Sequence, residues 1–294
     1  MNYDLFVGID WSGAKGHRHR GISVFVCEKG DATPHKISPP DGKSAFSRAD
    51  VVRYLEDLSN AAKVLAGIDF AFAYPVDKES NYFPDLPSSQ PKTAQELWYL
   101  IEHLNSEAED FYGGVIWDHP LYGPYYNAPS GRRGLKFQSR RRETEKAASA
   151  VKSPSPTFNC VGPAGVGTGS LAGMRLCHYF AKSATIWPFH TKQGSNLTLV
   201  EIFPSYYFKM AGITPVNGQQ AQIDTLNMAL RYFHSRPVSK EFVVAGPDAD
   251  DADALISAAA LRSMSCDPAS WLVPDIAQRE GWIFGVKSDT NQTC

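Results

Sequence analysis

The sequence lacks the features that mark disulfide-rich, zinc-binding and membrane-spanning proteins. Its five cysteines are odd in number, widely spaced and without a CxxC pair, which argues against a disulfide framework and against a zinc site. The opening residues, MNYDLFVGIDWSG, have no basic segment and only a short apolar run, so no signal peptide is expected. No stretch approaches the ~20 apolar residues of a membrane span. We expect a soluble, cytoplasmic protein with reduced thiols.

Several short enzyme motifs are also missing. The histidines form no HxxxH or HExxH array and GxSxG does not occur, so neither a zinc hydrolase nor a serine hydrolase is expected. The glycine-rich stretch GPAGVGTGS at 162–170 lacks the Lys-Ser/Thr pair of a P-loop, which excludes a Walker A site. It precedes a predicted helix, so it is either a flexible turn or a backbone contact for a phosphate.

Net charge gives little sign of a nucleic-acid partner, because the formal charge is only -2. Binding to nucleic acid would need a local patch, and the segment 132–152 is the one candidate. Tyr122, Tyr125, Tyr126 and Phe137 lie beside it and could stack on bases. A solvated, mobile loop is the alternative. The candidate substrate-binding residues are Arg132, Arg133, Arg140, Arg141 and Arg142.

The hydrophobic pattern predicts one α/β domain over residues 1–294, with a mixed sheet flanked by helices. Strands are predicted at 3–9, 21–27, 35–37, 63–69 and 197–203, the first two as a hairpin. Helices are predicted at 47–58, 93–111, 171–181, 219–234 and 250–264. Residues 75–157 are rich in Pro, Tyr and Arg, and they indicate a large, mostly irregular insertion into this core.

Three acids lie at the ends of apolar strands, where a lone buried carboxylate costs several kcal/mol unless it is compensated. They are Asp10 in FVGIDWSG, Asp69 in LAGIDFAF and Glu201 in LVEIFPS. Acids at strand ends of a parallel sheet face the crevice where ligands bind. The alternatives are a turn residue for Asp10 and an ion-paired acid for Asp69.

A fourth acidic feature is the helix start PDADDADAL. Asp250 and Asp253 are three residues apart and share one helix face, whereas Asp251 points elsewhere. We interpret Asp248 and Asp251 as residues that stabilise the helix N-terminus. Since the rest of the helix is apolar, Asp250 and Asp253 indicate a site. Together the carboxylates favour Mg²⁺ or Mn²⁺, which prefer oxygen ligands and in pairs can clamp a phosphoryl transfer.

The order strand-Asp, hairpin, helix, strand-Asp and late D-x-x-D-A-L helix resembles the RNase H-like superfamily, particularly its RuvC-like branch. The stretches GIDWSGA, GIDFAFAYP, VEIFPS, DDADALISAAALR and EGWIFG resemble a family of predicted RNase H-like nucleases, a domain of unknown function. The resemblance implies an RNase H-like fold. It also implies that Asp10, Asp69 and Asp253 are metal ligands, with Asp250 beside them and Glu201 as a further carboxylate.

The sequence therefore predicts a metal-dependent nuclease or phosphodiesterase in which a metal-activated water attacks phosphorus. Its predicted catalytic residues are Asp10, Asp69, Glu201 and Asp253. An ATP-binding protein of the actin or sugar-kinase type is one alternative, since GIDWSGA resembles a first phosphate loop, although bulky FAFAYP follows the second GID. A binding module with a degenerate site is the other, and it predicts no stabilisation by divalent cations.

Overall fold

The computed structural model describes residues 2–30, 32–86, 90–129, 131–162, 166–214 and 222–288. Within these residues the strands are β1 (Leu5–Asp10), β2 (Ser23–Glu28), β3 (His35–Lys36), β4 (Val64–Ile68), β5 (Asn127–Ala128), β6 (Arg132–Arg133), β7 (Thr185–Ile186) and β8 (Leu197–Glu201). The helices are α1 (Arg48–Ala61), α2 (Ala94–Leu104), α3 (Glu143–Ala148), α4 (Val166–Phe180), α5 (Pro204–Met210), α6 (Ile223–Tyr232), α7 (Asp250–Met264) and α8 (Ala277–Glu280).

Six strands form one mixed sheet in the order β3-β2-β1-β4-β8-β7. Strand β2 is antiparallel to its neighbours β1 and β3, whereas β1, β4, β8 and β7 run parallel to one another. The predicted hairpin and the predicted mixed α/β sheet are both confirmed. Strands β5 and β6 pair separately, outside this sheet.

The period-two alternation of β1, β4 and β8 sends apolar side chains to both faces of the sheet, so helices cover both faces. Val7, Ala66 and Leu199 pack with residues of α1, α2 and α4 on one face. Phe6, Leu65 and Val200 pack with α5, α6 and α7 on the other. The core is therefore three layers deep, and α7 covers the face opposite to α4.

Glycines in both GID triplets allow a side of α7 to lie directly on the sheet. A Cβ on Gly8 would overlap the carbonyl oxygen of Ala254 and lie 2.6 Å from the nitrogen of Ala258. A Cβ on Gly67 would lie 2.8 Å from the Leu261 side chain. Because Gly8 meets Ala254 near the start of α7, the first turn of that helix reaches the carboxyl end of β1.

Two predicted helices have different bounds in the structure. The helix predicted at 93–111 is wrong beyond Leu104, because Asn105 turns the chain by donating to Ile101 O and accepting from the Val115 N–H. The helix predicted from 171 starts at Val166, despite three glycines in α4. One of them, Gly173, lies against the ring of Phe70, where a Cβ would overlap. A Cβ on Gly167 would likewise overlap the Thr157 carbonyl, so these two glycines serve close packing.

Residues 75–157 pack against the sheet as part of its core. Tyr82, Trp98 and Tyr126 from this segment share one apolar cluster with Val7 and Ile9 of β1. The segment contributes α2, β5, β6 and α3, so it is less irregular than its composition indicates. Helices α3, α5 and α8 and strand β7 were not predicted from the sequence. Of the helix predicted at 219–234, residues 219–221 lie outside the described residues, and α6 occupies Ile223–Tyr232.

Candidate active site

Two of the strand-end acids lie side by side at the carboxyl edge of the sheet. Asp10 is the last residue of β1, and Asp69 directly follows β4. The register pairs Ile9 with Ile68, and the Asp69 N–H donates to the Ile9 carbonyl at 3.0 Å. Both acids are two residues after a glycine that faces α7, so their side chains leave the sheet on the α7 side.

The first turn of α7 completes a cleft that contains four aspartates. Asp250 and Asp253, one helical turn apart, line the same space as Asp10 and Asp69, a cavity of about 490 Å³. The exposed Asp248 lies at its rim. Among the described residues that line this aspartate cleft, none is a lysine or an arginine. The carboxylates therefore face one another without a cationic side chain between them.

This arrangement shifts the pKa of each of the four carboxyls upward. Burial, and then the charges of Asp253, Asp69 and Asp250, hold the pKa of Asp10 well above its usual range. Burial, followed by the charges of Asp69 and Asp250, does the same to the pKa of Asp253. Burial and the charge of Glu201 raise the pKa of Asp69 to about 7, and burial raises that of Asp250. The protein itself does not compensate negative charge at this position, so the carboxyls keep their protons to a higher pH than usual.

Asp250 also leaves a polar atom without a partner. Its Oδ2 is buried and has no hydrogen-bond donor while both Asp10 and Asp250 are ionised. A proton kept on Asp10 supplies a hydrogen bond to the Asp250 side chain. Orphaned buried oxygens are uncommon in folded proteins and need an explanation. A cation or a shared proton would each satisfy this one.

The four aspartates suit a divalent ion by the chemistry of their oxygen atoms, but their side chains are not arranged around a metal position. All four side chains offer hard oxygen donors, which suit Mg²⁺ and Mn²⁺. As the side chains stand, however, no group of three or more His, Cys, Asp or Glu within the described part of the chain is arranged to hold a metal ion. A cation would have to draw the carboxylates together by rotation of their side chains, against the repulsion that now separates them.

The neighbouring Asp251 has a structural role. It is buried and accepts hydrogen bonds from Ser23 Oγ at 2.7 Å, from Lys36 Nζ at 2.7 Å and from the Ala245 N–H at 3.0 Å. It thus ties α7 to β2 and β3 and faces away from the cleft, as the helix spacing predicts.

Glu201 occupies a different environment from the four aspartates. Its register partner is Ile68 rather than Asp69, so it leaves the sheet on the α4 side. Both its carboxylate oxygens accept from the guanidinium of Arg142, one of them at 2.7 Å, and one also accepts from the Phe72 N–H at 3.1 Å. Glu201 is therefore a buried, ion-paired residue beside the cleft and does not line it.

The basic segment divides into interior and surface residues. Arg142 is buried between Glu201 and Glu145, and Arg140 donates to the carbonyls of Pro75 and Tyr82. Arg141 is partly exposed and donates to Ser149 and Ser153. Arg133 is exposed, with its guanidinium 5.0 Å from the centroid of the Phe137 ring. The Arg132 side chain lies outside the described residues. Of the side chains that the structure describes, Arg142 is buried, Arg133 is exposed, and Arg140 and Arg141 are partly exposed, with the Arg140 guanidinium already bonded to two carbonyls.

Two backbone segments also line the cleft, one after β1 and one at the start of α4. The loop after β1 contributes Trp11, Ser12 and Gly13, and Arg48 fixes it by donating to the carbonyls of Ser12 and Ala14 at 2.7 and 2.6 Å. A Cβ on Gly13 would overlap Thr168, which brings this loop onto the first turn of α4.

The glycine-rich stretch at 162–170 therefore reaches the aspartate cleft. Gly162, Val166, Thr168 and Gly169 line it, while residues 163–165 lie outside the described part. The first-turn amides of a helix favour anions. Because this stretch lines the same cleft as the carboxylates, its contact with a phosphate stays a prediction.

No family model, curated protein or solved structure matches this chain. The described residues also contain no helix long and apolar enough to span a membrane. Any assignment of function rests on the residues of the cleft itself.

Proposed function

We propose that the chain is a metal-dependent phosphodiesterase that hydrolyses phosphodiester bonds of nucleic acid. One observation carries the proposal: four aspartates from β1, β4 and α7 face one cleft at the carboxyl edge of the sheet, with no lysine or arginine among the described lining residues. A hydrolase that used one acid and one base would need two such groups. Four mutually repelling carboxylates suit divalent cations better.

In this proposal Asp10, Asp69 and Asp253 hold the cations, with Asp250 beside them. Bound there, Mg²⁺ or Mn²⁺ would supply an activated water and would neutralise charge on the phosphoryl oxygens. The chain's own residues position these ligands: Gly8 and Gly67 set the approach of α7, and Asp251 anchors its first turn.

The opposite wall of the cleft suits the anionic part of such a substrate. The first turn of α4 and the loop around Gly13 present backbone there, and a helix N-terminus attracts a phosphate through its amides and its dipole. Carboxylates on one side and a helix N-terminus on the other give the cleft two poles, one for cations and one for phosphate oxygens.

The element order supports the same proposal. The resemblance to the RNase H-like superfamily rests on a strand ending in Asp, a hairpin, a helix, a second strand followed by Asp, and a late acidic helix. The structure has β1, β2, α1, β4 and α7 in this order, and β4 lies parallel beside β1. We propose on this basis that the mixed sheet is an RNase H-like core.

An ATP-binding role has less support from the residues. A second phosphate loop would require glycines after the second GID, but Phe70 and Phe72 follow it and are buried, with their rings stacked at 4.8 Å. The N–H groups of Phe70 and Phe72 also donate within the protein, to the Ile68 carbonyl and to Glu201, so neither is free for a phosphate. Calorimetric titration with ATP tests this alternative, and tight binding would favour it.

The test of the proposed function is cleavage of a panel of RNA, DNA, hybrid and branched substrates with Mg²⁺ or Mn²⁺. We expect at least one class to be cleaved, with cleavage lost in EDTA and in Asp10→Asn. Asp251→Asn is the matched control, because this neighbouring acid is bonded to Ser23 and Lys36 and faces away from the cleft.

Thermal unfolding of each variant establishes that it is folded at the assay temperature. Cleavage that survives EDTA, or that Asp10→Asn retains at the wild-type rate, refutes the proposal. Loss of activity in both Asp10→Asn and a folded Asp251→Asn would show that the effect is not specific to the carboxylates that line the cleft.

A further inference from the structure

A second cavity adjoins the aspartate cleft along the carboxyl edge of the sheet. It has a volume of about 360 Å³ and lies beyond the ends of β4 and β8. Asp69 and Val166 line both cavities. A ligand held at Asp69 therefore has space to extend from one into the other. We name this second cavity the Phe203 pocket.

The walls of the Phe203 pocket are of two kinds. Phe70, Ile202, Phe203 and Ile283 give it an apolar side. Its polar side consists of Ser153, Ser155, Ser205 and Lys152, together with the ion-paired Arg142, Glu145 and Glu201. A cavity that joins an apolar wall to a few polar groups is typical of a site for a small organic ligand. A nucleobase, flat and apolar on its faces and polar at its edge, matches this division.

Phe203 is the residue best placed to contact such a base. It lies two residues after β8, is partly exposed, and immediately precedes α5. Within the described residues its ring stacks on no other aromatic ring, in contrast to the core phenylalanines Phe70 and Phe72. Phe203 packs in part against the apolar core, and its remaining surface lines the pocket, where a ligand can contact the ring.

Positive charge lies at the edge of the same pocket. Lys152 lines it and is partly exposed, and Arg141 donates to Ser153, another lining residue. The buried Arg142 also lines it but is neutralised by Glu201 and Glu145. Lys152 and Arg141 thus remain for phosphates that flank a base in the pocket.

We infer that the Phe203 pocket receives an unpaired base of the nucleic-acid strand whose phosphate lies at Asp69. This inference rests on the proposed function and deepens it, because it names a single-stranded or locally unpaired strand as the substrate. A base within a regular duplex is stacked and paired, so it could not enter the pocket. Phe203 stacks on the extruded base, and Lys152 and Arg141 contact the adjoining backbone.

The test uses binding of fluorescent single-stranded oligonucleotides, measured by anisotropy in the Asp10→Asn background so that no strand is cut. We expect Phe203→Ala to weaken binding about tenfold, within the range found for stacking of one base. Phe203→Trp keeps an aromatic face and retains the affinity. Phe203→Leu keeps the apolar packing of the turn but behaves like Phe203→Ala.

An abasic site, moved one position at a time along the oligonucleotide, identifies the base concerned. At one position it weakens binding by Asp10→Asn about tenfold, and there Phe203→Ala adds no further loss. The inference is overturned if Phe203→Leu binds as tightly as the Asp10→Asn parent. It is also overturned if Phe203→Ala weakens binding on every abasic strand. Neither result affects the proposed function, which depends on cleavage by the wild type. If the wild type neither binds nor cleaves any oligonucleotide, the proposed function fails and the inference falls with it.

Discussion

Replacing Asp69 by asparagine tests whether the carboxylates of the aspartate cleft serve to bind a cation or to stabilise the fold. Asp69 follows β4, and its side chain lies among carboxylates with no lysine or arginine among the described residues of the cleft. Burial and the charge of Glu201 raise its pKa to about 7 from the usual 3.8. Asparagine has nearly the same shape but carries no charge. It therefore removes the electrostatic cost and leaves the packing in place.

The pKa of Asp69 gives the size of that cost. A carboxyl whose pKa is higher in the folded state keeps its proton while the unfolded chain loses one. The free energy of unfolding therefore falls as pH rises from about 4 to about 7, then levels off. At about 1.4 kcal/mol for each pKa unit, the loss is at most about 4 kcal/mol. Because Asp69 is partly exposed to the cleft, solvent screening reduces it, so this figure is an upper limit.

We expect Asp69→Asn, in EDTA at a pH of about 8, to be more stable than the wild type by up to about 4 kcal/mol, or up to about 10 °C in Tm. The difference shrinks at a pH of about 5, where Asp69 of the wild type is protonated. Millimolar Mg²⁺ or Mn²⁺ raises the Tm of the wild type, because a ligand that binds only the folded state stabilises it. In Asp69→Asn most of this increase is lost.

Differential scanning calorimetry with and without EDTA measures both effects on the same samples. Asp251→Asn is the control: its three hydrogen-bond donors lose a charged acceptor, so it is destabilised by about 2–3 kcal/mol but keeps its response to divalent cations. An Asp69→Asn protein that is less stable than the wild type in EDTA would show that Asp69 has a structural partner. An undiminished response to Mn²⁺ in that variant would show that it is not a ligand.

Two further predictions concern packing and the buried ion pairs. Gly8→Ala places a Cβ against Ala254 and lowers the free energy of unfolding by about 3 kcal/mol or more. In Gly169→Ala the new Cβ makes only a van der Waals contact with Trp11 at 3.8 Å, and the change raises the free energy of unfolding by about 0.5–1 kcal/mol through helix propensity. Arg142→Met leaves Glu201 buried and unpaired and costs about 3–5 kcal/mol, part of which Glu201→Gln restores. Urea unfolding measures the four single variants and the double variant Arg142→Met with Glu201→Gln. Additive effects of these two changes would contradict the last prediction.

The core of the fold could be predicted from the sequence because its elements have strong, regular patterns. Helix α7 has the predicted bounds, and β1, β2, β4 and β8 differ from the predicted strands by a few residues at their ends. Short elements between residues 75 and 157 could not be predicted. Their backbone is fixed by long-range contacts, such as the Tyr126 hydroxyl bonded to that of Tyr74 and the Tyr82 hydroxyl bonded to the Arg279 carbonyl.

The four aspartates of the candidate site could be predicted from the sequence, because they lie on two adjacent strands and one helix. Asp10 and Asp69 each follow a GID glycine that faces α7, and Asp250 and Asp253 share a helix face, so local spacing is enough to bring them together. Glu201 ends its strand in the same way, yet it points to the other side of the sheet. Side-chain direction depends on the register of β8 against β4, and a single sequence does not contain that register.

The pairing of Arg142 with Glu201 shows why two separate expectations about the site changed together. Each residue was a reasonable candidate alone, one as a phosphate contact and the other as a catalytic acid. Both expectations assumed that the side chain faces solvent or ligand, but the two charges lie 59 positions apart and meet in the interior. The pairing of these two charges in the interior leaves Asp10, Asp250 and Asp253 on one side of Asp69. On its other side it leaves a pocket whose remaining partly exposed groups, Phe203 and Lys152, suit a base and its phosphate.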